Sequence, residues 1–390
     1  MCFGVFGFFW GTWGALLPAL KAQTGSTEAE LGFALLALAA AALPAMLSSG
    51  WIADRFGDRA LAPTVGAFGI AALLPGLTHS TLMLAGTLVL LGAASGALDV
   101  AMNASVAAEE QRGRRRLMHG AHAVFSGGLA VAAASAGVAR SAGGSAIVIL
   151  GVVSGVVVVV AVSIHFSRRE MGPQEASPTA RTGAGHLMLS ASLLGLGGLC
   201  AVAFLVENAL ESWSALHLED SLGAGPAVSG LGPAFFALAA ALGRLGAQRA
   251  AARAPDRALL VVAAGMSAAG TAYVAVAPSP AIALAGVFLA GAGISVAAPT
   301  IFSMAGRVVA DGNRGRAIST VTTTAYLGFL LGPPLVGAIA GALTLRWAFG
   351  VVAAIALVLA IVSRYVPLPG SRPGIGRTMP RSSRGPDVLQ

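Results

Sequence analysis

Charge is what this chain lacks most. Only 10% of its residues are Asp, Glu, Lys or Arg, against about 25% in a soluble domain. With 56% apolar residues and a mean hydropathy of +0.81, the chain cannot be an ordinary soluble protein. Cysteine is nearly absent too. Cys2 and Cys200 both lie in apolar runs, which excludes a disulfide framework and a thiolate metal site. No HExxH, GxSxG or Cys/His metal spacing occurs, so the chain does not read as an enzyme, and no cofactor or metal is implied. Lysine occurs once, at Lys21, against 23 arginines. The net charge of +8 does not point to nucleic acid, because no basic run is interleaved with aromatics. It fits loops that face the anionic leaflet of a lipid bilayer.

What fills the chain is a series of apolar runs, each near the roughly 20 residues that cross about 30 Å of hydrocarbon. Twelve spans are expected, near 3–20, 31–51, 60–78, 81–106, 118–139, 145–166, 188–212, 227–247, 257–277, 280–305, 316–342 and 344–364. The first has no basic segment before it and reads as a retained helix, not a cleaved signal. The expected fold is an all-α integral membrane protein, with 12 transmembrane helices in two pseudo-symmetric six-helix halves. The halves are residues 1–166 and 188–364, joined by a cytoplasmic linker at 167–187 and followed by a disordered cytoplasmic tail at 365–390. Of the 24 bases, 21 fall in the even-to-odd loops and the tail. The other side holds only Lys21, Arg140 and Arg346. That asymmetry places both termini in the cytoplasm of a multi-pass bacterial inner-membrane protein.

A repeat supports the division. Leu31-Gly32-Phe33-Ala34-Leu35-Leu36-Ala37-Leu38-Ala39-Ala40 returns as Leu231-Gly232-Pro233-Ala234-Phe235-Phe236-Ala237-Leu238-Ala239-Ala240, with seven of ten positions alike at an offset of 200. Trp13-Gly14-Ala15-Leu16 returns as Trp213-Ser214-Ala215-Leu216 at the same offset. Fifty-two glycines suit close helix approach within a membrane.

Polar groups in hydrocarbon are costly, so each one inside a span is a candidate functional residue. Gly92, Gly96, Asp99 and Asn103 step by 4, 3 and 4 and share one face of the fourth span. His119 and His122 open the fifth span at similar depth, so an Asp99, Asn103, His122 cluster is expected. A carboxylate there can take up and release a proton, with His122 as relay. The plainer reading of Asp99 is a hydrogen bond to a neighbouring helix, and of His122 an interfacial side chain. Glu207, Asn208 and Glu211 lie in the seventh span, where they are expected near the outer end, lining the mouth of a cavity. On span midpoints Glu207 lies about 20 Å from Asp99 in depth. Glu211 could equally be a surface residue. Trp13 and Tyr326 complete the candidate solute contacts, with Trp10 and Trp13 readable either as stacking groups or as anchors. Gly332-Pro333-Pro334 interrupts the eleventh span.

The densest charge sits in Gly50-Trp51-Ile52-Ala53-Asp54-Arg55-Phe56-Gly57-Asp58-Arg59. This resembles the loop between helices two and three of the major facilitator superfamily, Gly-x-x-x-Asp-Arg-x-Gly-(Arg/Lys)-(Arg/Lys), and departs from it at Asp58. The helix-four motif, Met118-His119-Gly120-Ala121-His122, Glu207-x-x-x-Glu211-x-Trp213 and the run from Tyr326 to Pro334 resemble its fucose-permease-related, YbjJ-type subgroup. The resemblance implies alternating access between two halves and a proton-carrying acid at Asp99. It also implies a cytoplasmic gate built from Gly50, Asp54, Arg55, Gly57 and Arg59, with Arg244 in the second-half copy of the loop. Helix four lacks the arginine of drug–proton antiporters, and the fifth span lacks their Gly-Pro pair, which weakens an efflux reading. The expected function is therefore proton-coupled transport of a small neutral or cationic solute by a single copy of the chain. Export of a drug or metabolite is the alternative. A non-transporting receptor or scaffold is a third reading, disfavoured by the short linker and tail.

Overall fold

The computed structural model describes residues 1–56, 60–113, 117–170, 190–251, 253–309 and 314–366, with helices, short connections and no strand among them. The helices are α1 (Cys2–Thr24), α2 (Glu28–Phe56), α3 (Leu61–Leu77), α4 (Thr81–Gly113), α5 (Met118–Ser141), α6 (Ala146–Glu170), α7 (Ala191–Ser221), α8 (Pro226–Ala250), α9 (Asp256–Val276), α10 (Pro280–Val308), α11 (Arg314–Ala342) and α12 (Leu345–Ser363). Eleven are long and apolar enough to cross a membrane, and α3 is a shorter apolar helix that ends in a 3₁₀ turn at Leu74–Leu77. All twelve expected spans are present, and the protein is a multi-pass membrane protein. The expected tail and nearly all of the expected linker lie outside the described residues.

Six connections are short and lie on one face, called here the tight-loop face. Gly25, Gly143 and Gly223 turn the chain there with φ of 64°, 86° and 66°, a region that favours glycine. Thr27 and Glu30 form a capping box at the start of α2: the Thr27 amide donates to the Glu30 carboxylate at 2.8 Å, and the Glu30 amide donates to the Thr27 hydroxyl at 3.3 Å. The opposite, charged-loop face carries the connections after α2, α4, α6, α8 and α10.

Packing follows the glycines. On α1, a methyl at Gly7 or Gly11 would overlap the carbonyls of Phe125 and Leu129 on α5. The seam foreseen on α4 runs against α2, where Gly92 and Gly96 meet the backbone at Leu38 and Ala42. In the last six helices, Gly328 of α11 meets the backbone of α7 at Ala201. Such approach permits backbone contacts that larger residues exclude. Phe6, Phe9 and Phe68 form an aromatic core between α1 and α3, with ring centroids 4.9 Å apart for Phe9 and Phe68. On the outside, α6 exposes Val148, Val152, Val156 and Val159, an apolar stripe suited to lipid.

The first and last six helices meet through α2 on α11 and α5 on α8. Both seams are tightest near the tight-loop face: Gly32 approaches Gly337, and Gly137 approaches Gly230. Toward the charged-loop ends of these helices Ser48, His122, Arg244 and Ile318 are exposed. The closest approach of the two groups is therefore on the tight-loop face.

Candidate functional site

Asp99 is half-buried on α4, one turn beyond the Gly96 seam. Asn103, four residues on, donates from Nδ2 to Asp99 Oδ1 at 3.1 Å and to the Asp99 carbonyl at 2.8 Å. Asn103 therefore orients the carboxylate, which has no ion-pair partner among the described residues. Tyr326, on α11 in the other group of six helices, is half-buried. Tyr326 belongs to an aromatic trio with Phe204 and Phe329, its ring centroid 6.4 and 5.9 Å from theirs. His122 is exposed and packs edge-on against Phe3 of α1, with centroids 5.0 Å apart.

The acids of α7 sit elsewhere than expected. The seventh span does not end at 212: the α-helix runs to Leu216 and continues as a π-helical turn, His217–Ser221. Glu207 is thus near the middle of α7, not at its outer end. Along the α7–α11 seam Gly197 faces Thr324, Gly328 faces Ala201, and Gly332 faces Asn208. In that register Tyr326 lies about two turns, or about 10 Å, to the charged-loop side of Glu207.

Glu207 has a partner that the spans did not suggest. Arg244 on α8 donates from Nη2 to Glu207 Oε1 at 3.3 Å. Its Nε donates to the Ser295 carbonyl, also at 3.3 Å. That carbonyl is available because residue 299 is proline and has no N–H for the usual bond four residues back. The helix α10 accordingly breaks between Ile294 and Ala297. The Ser295 hydroxyl donates to the Ala240 carbonyl at 3.2 Å and ties the break to α8. The guanidinium is thus held by one carboxylate and one freed backbone acceptor.

Glu211, a turn beyond Glu207, is half-buried, and among the described residues its carboxylate has no hydrogen-bond partner. It shares the field of Glu207 and Arg244. Asn208 turns its buried Oδ1 toward α11 near Gly332, without a hydrogen bond. Trp13 is buried, its ring stacked on Phe9 at 6.1 Å. Trp10 is half-exposed, on the same face of α1 as Gly14, which abuts the Glu211 backbone. These helices thus carry a carboxylate with its amide, an ion pair, a second carboxylate and aromatic surface.

The Major Facilitator Superfamily model matches residues 1–220 and again residues 196–386. The chain belongs to the Major Facilitator Superfamily. The double match parallels the repeat at an offset of 200. An uncharacterized MFS-type transporter of Yersinia pestis is 31% identical over 379 residues, 94% of both chains. Two solved structures share the fold: a nucleoside transporter NupG variant with a TM-score of 0.79 at 12% identity, covering 94% of this chain and 98% of that one, and a D-xylose–proton symporter with a TM-score of 0.75 at 14% identity, covering 95% and 97%. In this superfamily chain the loop residues expected at the gate fall outside the description: Gly57 and Arg59 altogether, and Gly50, Asp54 and Arg55 in their side chains. Arg244, expected in the second-half copy of that loop, donates to Glu207. The residue that sequence reasoning missed is Ser295. Pro299 signalled the freed Ser295 carbonyl; its partner lies 51 residues away and had no local signal.

Proposed function

We propose that the chain is a secondary active transporter of a small neutral or cationic solute, working by alternating access and coupled to protons through Asp99. The observation that carries this reading is Asp99 itself, a carboxylate half-buried within a membrane-spanning helix and hydrogen-bonded by Asn103. Asp99 is the group that gains and loses the proton, Asn103 orients it, and His122 passes protons to and from the charged-loop face. Asn103, Glu207, Asn208, Glu211 and Tyr326 contact the solute, with Trp10 the half-exposed indole of α1 and Trp13 behind it. Glu207 and Glu211 against the single base Arg244 favour a solute without net negative charge.

The bias of 21 bases among 24 makes the charged-loop face cytoplasmic in a bacterial inner membrane, so the two groups approach most closely on the outer side. The motifs quoted above favour the fucose-permease-related, YbjJ-type subgroup, and a single copy carries all of these groups. The test begins with a thermal-shift screen of sugars, amines and drugs, since a bound ligand stabilises the folded state. Uptake of the hit is then driven by a pH step in vesicles. Asp99→Asn should lose gradient-driven accumulation and keep downhill exchange. Undiminished accumulation would overturn the coupling role.

A further inference from the structure

The sequence leaves three bases on the tight-loop face, and two of them join the two groups of helices. Arg140, near the end of α5, donates from Nη1 to Glu219 Oε2 at 2.9 Å and from Nη2 to Glu219 Oε1 at 2.8 Å. Its side chain is only 8% exposed. The same guanidinium donates to the Ala15 carbonyl at 3.1 Å, and the Ser229 hydroxyl donates to Glu219 at 2.8 Å. Lys21 of α1 donates from Nζ to Asp220 and to Glu28, each at 2.7 Å. Glu219 and Asp220 are neighbours in one π-helical turn, the last of α7.

The root of that turn belongs firmly to the last six helices. His217 is fully buried, its Nε2 lies 3.0 Å from the Val274 carbonyl of α9, and its ring packs on Phe349 of α12 with centroids 5.0 Å apart. The tip holds α1 and α5 of the first six. π turns inserted in α-helices recur at functional positions, because the extra residue re-aims side chains without ending the helix.

We propose that the π turn His217–Ser221 is a two-handed latch that closes the tight-loop face. Its two acids grip Arg140 and Lys21 together, so this face opens only when both ion pairs break. The proposal rests on the alternating-access reading and goes beyond it by assigning the closing element. The bidentate, mostly buried Arg140–Glu219 pair is the stronger hand, since removing one partner leaves a charge without compensation. The exposed Lys21–Asp220 pair is the weaker.

The test is a disulfide formed across the closed face, in a chain carrying Cys2→Ser and Cys200→Ser. Ala29 and Gly341 lie in contact across α2 and α11, on helices other than the one carrying the two latch acids, so Ala29→Cys with Gly341→Cys reports closure. Gly66→Cys with Ala161→Cys, within the first six helices, serves as control, because a Cβ at Gly66 lies 3.8 Å from that of Ala161. Adding Glu219→Gln and Asp220→Asn should slow the cross-face disulfide about tenfold and leave the control rate unchanged. Restoring attraction by charge exchange, Arg140→Glu with Glu219→Arg, should recover most of the rate. An unchanged cross-face rate with an intact control would overturn the latch. Uptake by the parent protein in the same vesicles tests alternating access separately, so the two readings can fail independently.

Discussion

Arg244 on α8 and Glu207 on α7 form an ion pair of 3.3 Å at the middle of α7, with the arginine side chain 45% exposed and the glutamate 14%. A pair with so exposed an arginine is open to competition from solute. A double-mutant cycle over Glu207→Gln and Arg244→Gln should give a coupling of roughly 0.5–1 kcal/mol in unfolding free energy. The coupling should shrink when bound solute takes over one partner. Zero coupling in the empty protein would show that the pair does not hold.

Two glycines on helices should respond to the same change with opposite sign. Gly11→Ala forces a methyl into the Leu129 carbonyl and should destabilise by about 1–3 kcal/mol. Gly195→Ala meets nothing within 4 Å in its helix, and should stabilise by about 0.5–1 kcal/mol through a more restricted unfolded chain. Thermal unfolding in detergent reads both. A drop for both would refute the seam as the cause.

Arg140→Lys keeps the charge but cannot present two parallel N–H groups to Glu219 or reach Ala15 as well. The expected loss is about 1–2 kcal/mol of stability. Lys21→Arg, at the more exposed pair, should stay within about 0.5 kcal/mol. Equal effects at the two positions would contradict the ranking of the pairs.

Orientation can be read by labelling in a chain lacking Cys2 and Cys200. His79 is exposed on the tight-loop face and Arg253 on the charged-loop face. In intact cells an impermeant maleimide should modify His79→Cys and spare Arg253→Cys until the membrane is opened. The reverse pattern would invert the topology.

The spans were legible because hydrocarbon thickness dictates their length and water dictates where charge gathers. The Gly92–Gly96 seam was legible for a similar reason, since close helix approach needs small residues at that spacing. What could not be read was the outer end of α7. Glu219 and Asp220 look like loop residues to hydropathy, and the helix continues through them only because each finds a base far away in sequence. That error moved Glu207 outward and hid its pairing with Arg244. Trp13 illustrates a second limit: helical spacing groups it with Trp10, but burial separates the two.

The proline at position 299 and the arginine at position 244 are bound to each other's fate. A straight α10 with an N–H at residue 299 would reclaim the Ser295 carbonyl and strand the guanidinium with one acceptor. Loss of Arg244 would leave that carbonyl bare inside the bilayer. Relatives that carry one of the two residues should therefore carry the other, and an engineered Pro299→Ala should be tolerated better together with Arg244→Leu than alone.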